Sequence, residues 1–176
     1  MDHRNYYGHG FRRGINLGDH QIKTAGNLPA VGTKAPSFVL TGTDLADMHL
    51  SDFTGKRLVL NIFPSIDTGT CAASARRFNQ EASSLENTVV LNVSKDLPFA
   101  QKRFCAAEGL ENVVNGSEFK TTSFSENYGV TMQEGRLAGL FSRAVVVIDG
   151  AGNVLYTEQV PSIGQEPDYE AAIASL

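Results

Sequence analysis

RLVLNIF (57–63), PSIDTGTC (64–71), AASARRFNQEASSLEN (72–87) and TVVLNVS (88–94) follow one another without a break, and this stretch decides the fold. The two flanking runs are apolar at almost every position rather than at alternate ones, the pattern of strands covered on both faces of a sheet. Between them Ala75, Phe78, Ala82 and Leu85 recur three or four residues apart, which predicts an amphipathic helix from Cys71 to about Leu85. Strand, helix and strand joined by short turns make a βαβ unit, whose crossover is right-handed.

Working outward, the alternation in DHQIKT (19–24) suits a short strand, and NLPAVGTKAP (27–36) turns the chain with two prolines and a glycine. FVLTG (38–42) reads as a further strand, followed by a loop-like stretch, TDLADMHLSDFTGK (43–56). Downstream, Asp96 is placed to cap a helix from Pro98 to about Leu110, with Gly109 placed to end it. FSENYGV (124–130) predicts a short helix closing on Gly129. AVVVID (144–149) and NVLYTEQV (153–160) flank the turn residues GAG as an antiparallel hairpin, and DYEAAIASL (168–176) is a terminal helix. The expectation is one α/β domain with a mixed sheet.

A chain of 176 residues with 41% hydrophobic residues buries a core that needs no disulfide staples. Its net charge of −4, with 15 lysines and arginines dispersed rather than clustered, argues against nucleic acid or an anionic membrane as partner. No run approaches the roughly 18 consecutive apolar residues of a membrane span. Residues 1–14, MDHRNYYGHGFRRG, lack the apolar core of a secretion signal and any periodicity. They read as a flexible extension or an expression remnant, leaving 15–176 as the domain of a soluble, cytoplasmic protein.

His3, His9, His20 and His49 all precede the first cysteine and form no metal-binding motif, so no metal and no cofactor are expected. Two cysteines are too few for a secreted disulfide framework, and they form no C-x-x-C pair. Inert thiols or redox chemistry remain. Cys71 falls where a parallel strand turns into a helix, a place at which backbone N–H groups and the positive end of the helix dipole converge. With Arg76 and Arg77 a turn or two downstream, that setting favours a thiolate. An inert cysteine is usually a small buried hydrophobe. Here the turn is polar, and Thr68 and Thr70 flank the sulfur with hydroxyls. Thr68-Gly69-Thr70-Cys71 keeps C-x-x-C spacing with a hydroxyl in place of the first sulfur, so a partner sulfur must come from elsewhere. Within the chain only Cys105 can supply it, and a disulfide requires Cα atoms within roughly 7 Å.

PSIDTGTCAASARRFNQ (64–80), DLPFAQKRFCAAEGL (96–110), GLFSRAVVVID (139–149) and EPDYEAAI (166–173) together resemble bacterial thiol peroxidases, the atypical two-cysteine branch of the peroxiredoxins. The resemblance runs from about Asn16 to the C-terminus and centres on Pro-x-x-x-Thr-x-x-Cys, here Pro64, Thr68 and Cys71. It implies a thioredoxin-like fold, a central mixed β-sheet flanked by helices with an N-terminal β-hairpin. It also implies that Cys71 is the peroxidatic cysteine, Cys105 the resolving one and Arg143 the active-site arginine, with Pro64 shielding the sulfur and Thr68 hydrogen-bonding it.

The implied reaction is antioxidant. The Cys71 thiolate takes an oxygen from a hydroperoxide and becomes a sulfenic acid, and Cys105 condenses with it to an intramolecular disulfide. Thioredoxin returns the disulfide to the dithiol. A homodimer and a preference for alkyl hydroperoxides over hydrogen peroxide are further implications, with Phe63, Leu140 and Phe141 as candidates for the apolar substrate contacts. Three rival readings stay open at this level: a thioredoxin-like adaptor or holdase, a one-cysteine peroxidase with Cys105 structural, and a structural domain with two buried thiols. Peroxide consumption with thioredoxin and its reductase separates the first from an enzyme, and Cys105→Ser separates the second.

Overall fold

A computed structural model describes residues 14–17 and 20–176; of residues 1–14, read from sequence as an extension, 1–13 lie outside the described residues, while Gly14 belongs to the first strand, paired with Lys23. The described residues open with a two-stranded antiparallel hairpin, β1 (Gly14–Leu17) and β2 (His20–Lys23). The remaining strands are β3 (Val39–Thr41), β4 (Asp47–His49), β5 (Arg57–Ile62), β6 (Thr88–Ser94), β7 (Val113–Ser117), β8 (Ala144–Ile148) and β9 (Val154–Gln159). They form one seven-stranded sheet in the order β4-β3-β7-β6-β5-β8-β9. β5, β6 and β7 run parallel at its centre, and β3, β8 and β9 pair antiparallel. The helices are α1 (Gly69–Ala82), α2 (Pro98–Glu108), α3 (Ser123–Tyr128) and α4 (Tyr169–Ala174).

The uninterrupted apolar character of β5 and β6 has the cause inferred from sequence. Leu58, Leu60 and Ile62 point to one face, where they join Phe38, Phe124, Tyr128 and Phe141 under α3. Val59 points to the other, against Phe78 of α1 and Tyr169 and Ala172 of α4. Phe124 stacks on Tyr128 with ring centroids 4.5 Å apart, and Phe38 meets both edge-on. α3 closes on Gly129 at φ 67°, where a Cβ would lie 2.6–2.7 Å from the backbone of Gly26 and Asn27. Glycine is required there on both counts.

Three segments depart from the sequence reading. The stretch taken as a loop, 43–56, contains β4 and a 3-10 turn, Leu50–Phe53. β4 is a three-residue, largely exposed edge strand, and such strands carry little apolar patterning to read. β7 has no forecast counterpart because Asn115 and Gly116 interrupt its apolar run. It forms because β6 and β3 flank it, and neighbouring strands outweigh propensity. Asp96, expected as the cap of α2, does not cap it; Leu97 holds that position without a side-chain bond, and the Asp96 carboxylate is turned elsewhere.

Candidate active site

β5 ends at Ile62, and the turn that follows carries Cys71 into the sheet-facing side of α1. The Phe63 amide still donates to Val93 O at 3.2 Å, holding the turn to the end of β6. Pro64 is buried directly after it. Thr68 is the N-cap of α1: its hydroxyl accepts from the Cys71 amide at 3.3 Å and donates to Ser65 O at 3.1 Å. This starts the helix at Gly69, two residues earlier than the apolar periodicity suggests, and puts Cys71 in its first turn. The Cys71 side chain is 0% exposed and packs with Phe63, Ile66, Ala75 and Leu110.

The group aimed at the sulfur is Arg143, the residue before β8. Its Nη1 donates to Cys71 Sγ at 3.2 Å, while Nε and Nη2 donate to Ile163 O at 3.1 and 2.9 Å. Arg143 is 2% exposed, and among the described residues no carboxylate pairs with it. A buried guanidinium without a carboxylate is costly, and the acceptors within its reach are the Ile163 carbonyl and the Cys71 sulfur. The arginine is fixed from behind: Gln159 Nε2 and the Val160 amide both donate to Arg143 O at 3.0 Å. The loop supplying Ile163 is tied to β1, where Asn16 N donates to Pro161 O and Ile163 N to Asn16 O. The hairpin therefore braces the arginine.

Cys105 lies on α2, half-buried, its sulfur accepting from Asn115 Nδ2 at 3.1 Å. Burial pushes the Cys105 thiol up, and the hydrogen bond from Asn115 opposes part of that rise. Phe104 and Cys105 pack on the same apolar cluster as Cys71, and both cysteines are free thiols. A shallow pocket of about 290 Å³ opens over Cys105 between Lys102, Leu110 and Glu111. A larger cavity of about 460 Å³, floored by Phe38, Leu50, Phe53 and Ile148, contains neither thiol.

Of the residues singled out from sequence, Thr68, Cys71, Phe63 and Arg143 converge, and Pro64 is buried in the turn next to Phe63. Phe141 does not join them in the sulfur's cluster but sits in the core under α3, and Leu140 packs with Ile15, Ile22 and Met132 beneath the hairpin. The Thr68 proton goes to Ser65 O rather than to the sulfur, and the Thr70 hydroxyl donates to Gly164 O at 3.2 Å. Arg76 and Arg77 turn away as well: Arg76 makes two 2.9 Å bonds to Glu108 of α2, and Arg77 binds Glu81. The periodicity of α1 gives the reason, since residues five and six beyond Cys71 emerge on other faces.

Sequence reasoning missed Asp96, the Ile163 carbonyl and a row of three asparagines. Asn61, Asn92 and Asn115 occupy one register across β5, β6 and β7. Asn61 Nδ2 donates to Asn92 Oδ1 at 2.9 Å, and Asn92 Nδ2 to Asn115 Oδ1 at 3.3 Å, so Asn115 is left with its nitrogen toward Cys105. An asparagine within each of the apolar runs RLVLNI, TVVLNVS and VVNGS was the available signal.

The Redoxin family model matches residues 30–173. Thiol peroxidases of Mycobacterium bovis and Mycobacterium tuberculosis are 57% identical over 162 residues, covering 92% of this chain and 97% of theirs. A peroxiredoxin-like protein from Aquifex aeolicus superposes with a TM-score of 0.87 at 36% identity, over 95% of this chain and 96% of that one. A thiol peroxidase from Chromobacterium violaceum shares the fold, with a TM-score of 0.85 at 24% identity over 92% and 94% of the two chains.

Proposed function

Because this chain belongs to the Redoxin family and is a thiol peroxidase of the peroxiredoxin type, we propose that Cys71 is its peroxidatic thiolate, Arg143 its charge-stabilising donor and Cys105 its resolving thiol. The observation that carries the reading is the 3.2 Å bond from Arg143 Nη1 to Cys71 Sγ in a site closed to bulk water.

The Cys71 thiolate attacks one peroxide oxygen; the S–O bond forms as the O–O bond breaks, leaving Cys71 as sulfenic acid and an alcohol or water as product. Negative charge builds on the leaving oxygen. A preorganised guanidinium meets that charge without reorganising, and one such donor is worth roughly 3 kcal/mol. Two bonds to Ile163 O fix the guanidinium in place for that role. The Cys105 thiolate then attacks the sulfenic sulfur, an S–S bond replaces the S–O bond, and the hydroxide released takes a proton to leave as water. Thioredoxin reduces the disulfide through its low-pKa thiolate.

Phe63 and Ile66 beside Cys71 favour an organic group on the peroxide, which supports alkyl hydroperoxides as the preferred substrate. The working state is a cytoplasmic homodimer built on one domain, 15–176.

Intact mass under non-reducing conditions, before and after one equivalent of cumene hydroperoxide, tests the assignment. The wild type loses two hydrogens, Cys71→Ser does not react, and Cys105→Ser accumulates one oxygen. Oxygen appearing on Cys105 in place of Cys71, or turnover with thioredoxin unaffected by Cys105→Ser, overturns it.

A further inference from the structure

Asp96 stands where the two cysteine-bearing segments meet. It ends the connection from β6, and α2, the helix of Cys105, begins two residues later. Its side chain turns back to the Cys71 turn instead. Oδ1 accepts from Ser65 Oγ at 2.8 Å, and Oδ2 accepts from the Ile66 amide at 2.8 Å and from Ser94 Oγ at 2.6 Å. Ser117 Oγ of β7 donates to the Asp96 carbonyl, and the Asp96 amide donates to Ser94 Oγ at 3.3 Å. One half-buried residue thus joins the Cys71 turn, the end of β6, the end of β7 and the approach to α2.

The bonds to the carboxylate are charge-assisted, and a free Asp96 would more readily serve α2, whose N-terminus has no side-chain cap. A good cap is forgone to hold the turn. Among the described residues no lysine or arginine is ion-paired with Asp96, so its charge is met by these donors. The held turn is the one that sets Cys71 against Arg143, through Ser65 O and the Thr68 cap.

We propose that Asp96 is a positioning residue of the peroxidase cycle, a clasp that keeps the Cys71 turn closed for peroxide attack and whose release limits disulfide formation. This rests on the reading of Cys105 as resolving thiol. The two half-reactions ask opposite things of the turn. Peroxide attack uses the closed arrangement, whereas disulfide formation draws the buried Cys71 sulfur away from Arg143 and the Cys105 sulfur away from Asn115.

With the closed form dominant, weakening the clasp lowers its population little but raises the open population in full proportion. Asp96→Ala should therefore accelerate conversion of Cys71 sulfenic acid to disulfide by about tenfold or more, the loss of two bonds to a charged acceptor. Oxidation of Cys71 by peroxide should slow, by less. A shorter-lived sulfenic acid also leaves less time for a second peroxide to carry it to sulfinic acid.

The test is rapid-mixing kinetics of both half-reactions, with cumene hydroperoxide and with dimedone trapping, on the full chain. Asp96→Ala is compared with the milder Ser65→Ala, which removes the bond to Oδ1 and the one the Ser65 hydroxyl accepts from the Asp67 amide at 3.2 Å, and with Asp96→Asn, which keeps an acceptor for the Ile66 amide. Faster disulfide formation graded Ala over Asn, with Ser65→Ala moving the same way, supports the clasp. A disulfide step unchanged or slowed in Ser65→Ala and Asp96→Asn, at native melting temperature, overturns it. Cys105→Ser run alongside separates the two readings: if it fails to accumulate sulfenic acid, the assignment of Cys105 fails and not the clasp alone.

Discussion

Arg143 and Cys71 are 72 residues apart in the chain and 3.2 Å apart in space, guanidinium Nη1 to thiol Sγ. The antiparallel pairing of β8 with β5 sets Ala144 opposite Ile62, which brings the residue before β8 to the mouth of the turn after β5. The contact is therefore a property of sheet register, and the loop carbonyl of Ile163 locks it.

Arg143→Ala should slow oxidation of Cys71 by peroxide about 100-fold, the usual consequence of removing one donor at a developing oxyanion. Arg143→Lys should recover only part of this, because a single ammonium cannot bind Ile163 O and face the sulfur with a rigid fork. Stopped-flow fluorescence or quenched-flow mass spectrometry of the first oxidation measures both.

Arg76→Ala should leave that first oxidation unchanged. Its guanidinium is exposed and committed to Glu108, whose carboxyl it holds below the usual range, so it offers the sulfur nothing. A large fall in the peroxide rate in this variant would return Arg76 to the site.

Burial raises the Cys105 thiol above its ordinary value and Asn115 restrains the rise. Alkylation of Cys105 in Cys71→Ser should therefore still be climbing with pH where a free cysteine, with pKa about 8.5, is half ionised. Asn115→Leu should displace the curve further to alkaline pH. The charged groups nearest on the pocket rim are Lys102 and Glu111, of opposite sign. By linkage, the raised folded-state value means that the folded protein holds this proton after the unfolded chain has released it. The contribution to stability is present below the unfolded pKa and is lost as pH rises through the folded one.

Gly129→Ala should lower the melting temperature sharply, by a cost of about 1–3 kcal/mol for a left-handed non-glycine residue before the clash with Gly26 and Asn27 is added. At temperatures where the variant is folded, both half-reactions should keep their rates, since Gly129 touches neither cysteine.

Most elements were legible because they are written in short-range patterns. The two-faced strands β5 and β6, the apolar stripe of α1, the αL glycines after α2 and α3 and the β8–β9 hairpin each depend on residues a few positions apart. β7 was not, because it forms through β6 and β3, which pair with it from elsewhere in the chain, and β4 was not, because a three-residue, largely exposed edge strand carries no apolar pattern to read. Asp96 is the most instructive residue. Its position two residues before Pro98 is a sound local reason to cap α2, yet its carboxylate serves a turn 30 residues away, where the donors Ser65 and Ile66 are concentrated.

By itself, then, the sequence determined a mixed α/β domain with a cysteine at a strand-to-helix turn, a Pro-x-x-x-Thr-x-x-Cys motif and a second thiol on the following helix, since propensity, periodicity and capping act over one or two turns. Only the tertiary structure decided which cation faces Cys71, Arg143 rather than Arg76 or Arg77. It also decided which apolar side chains surround the sulfur and which residue holds its turn. Those are contacts between segments distant in the chain, chosen by sheet register and by the need of each buried donor, acceptor and charge to find a partner where the fold puts one.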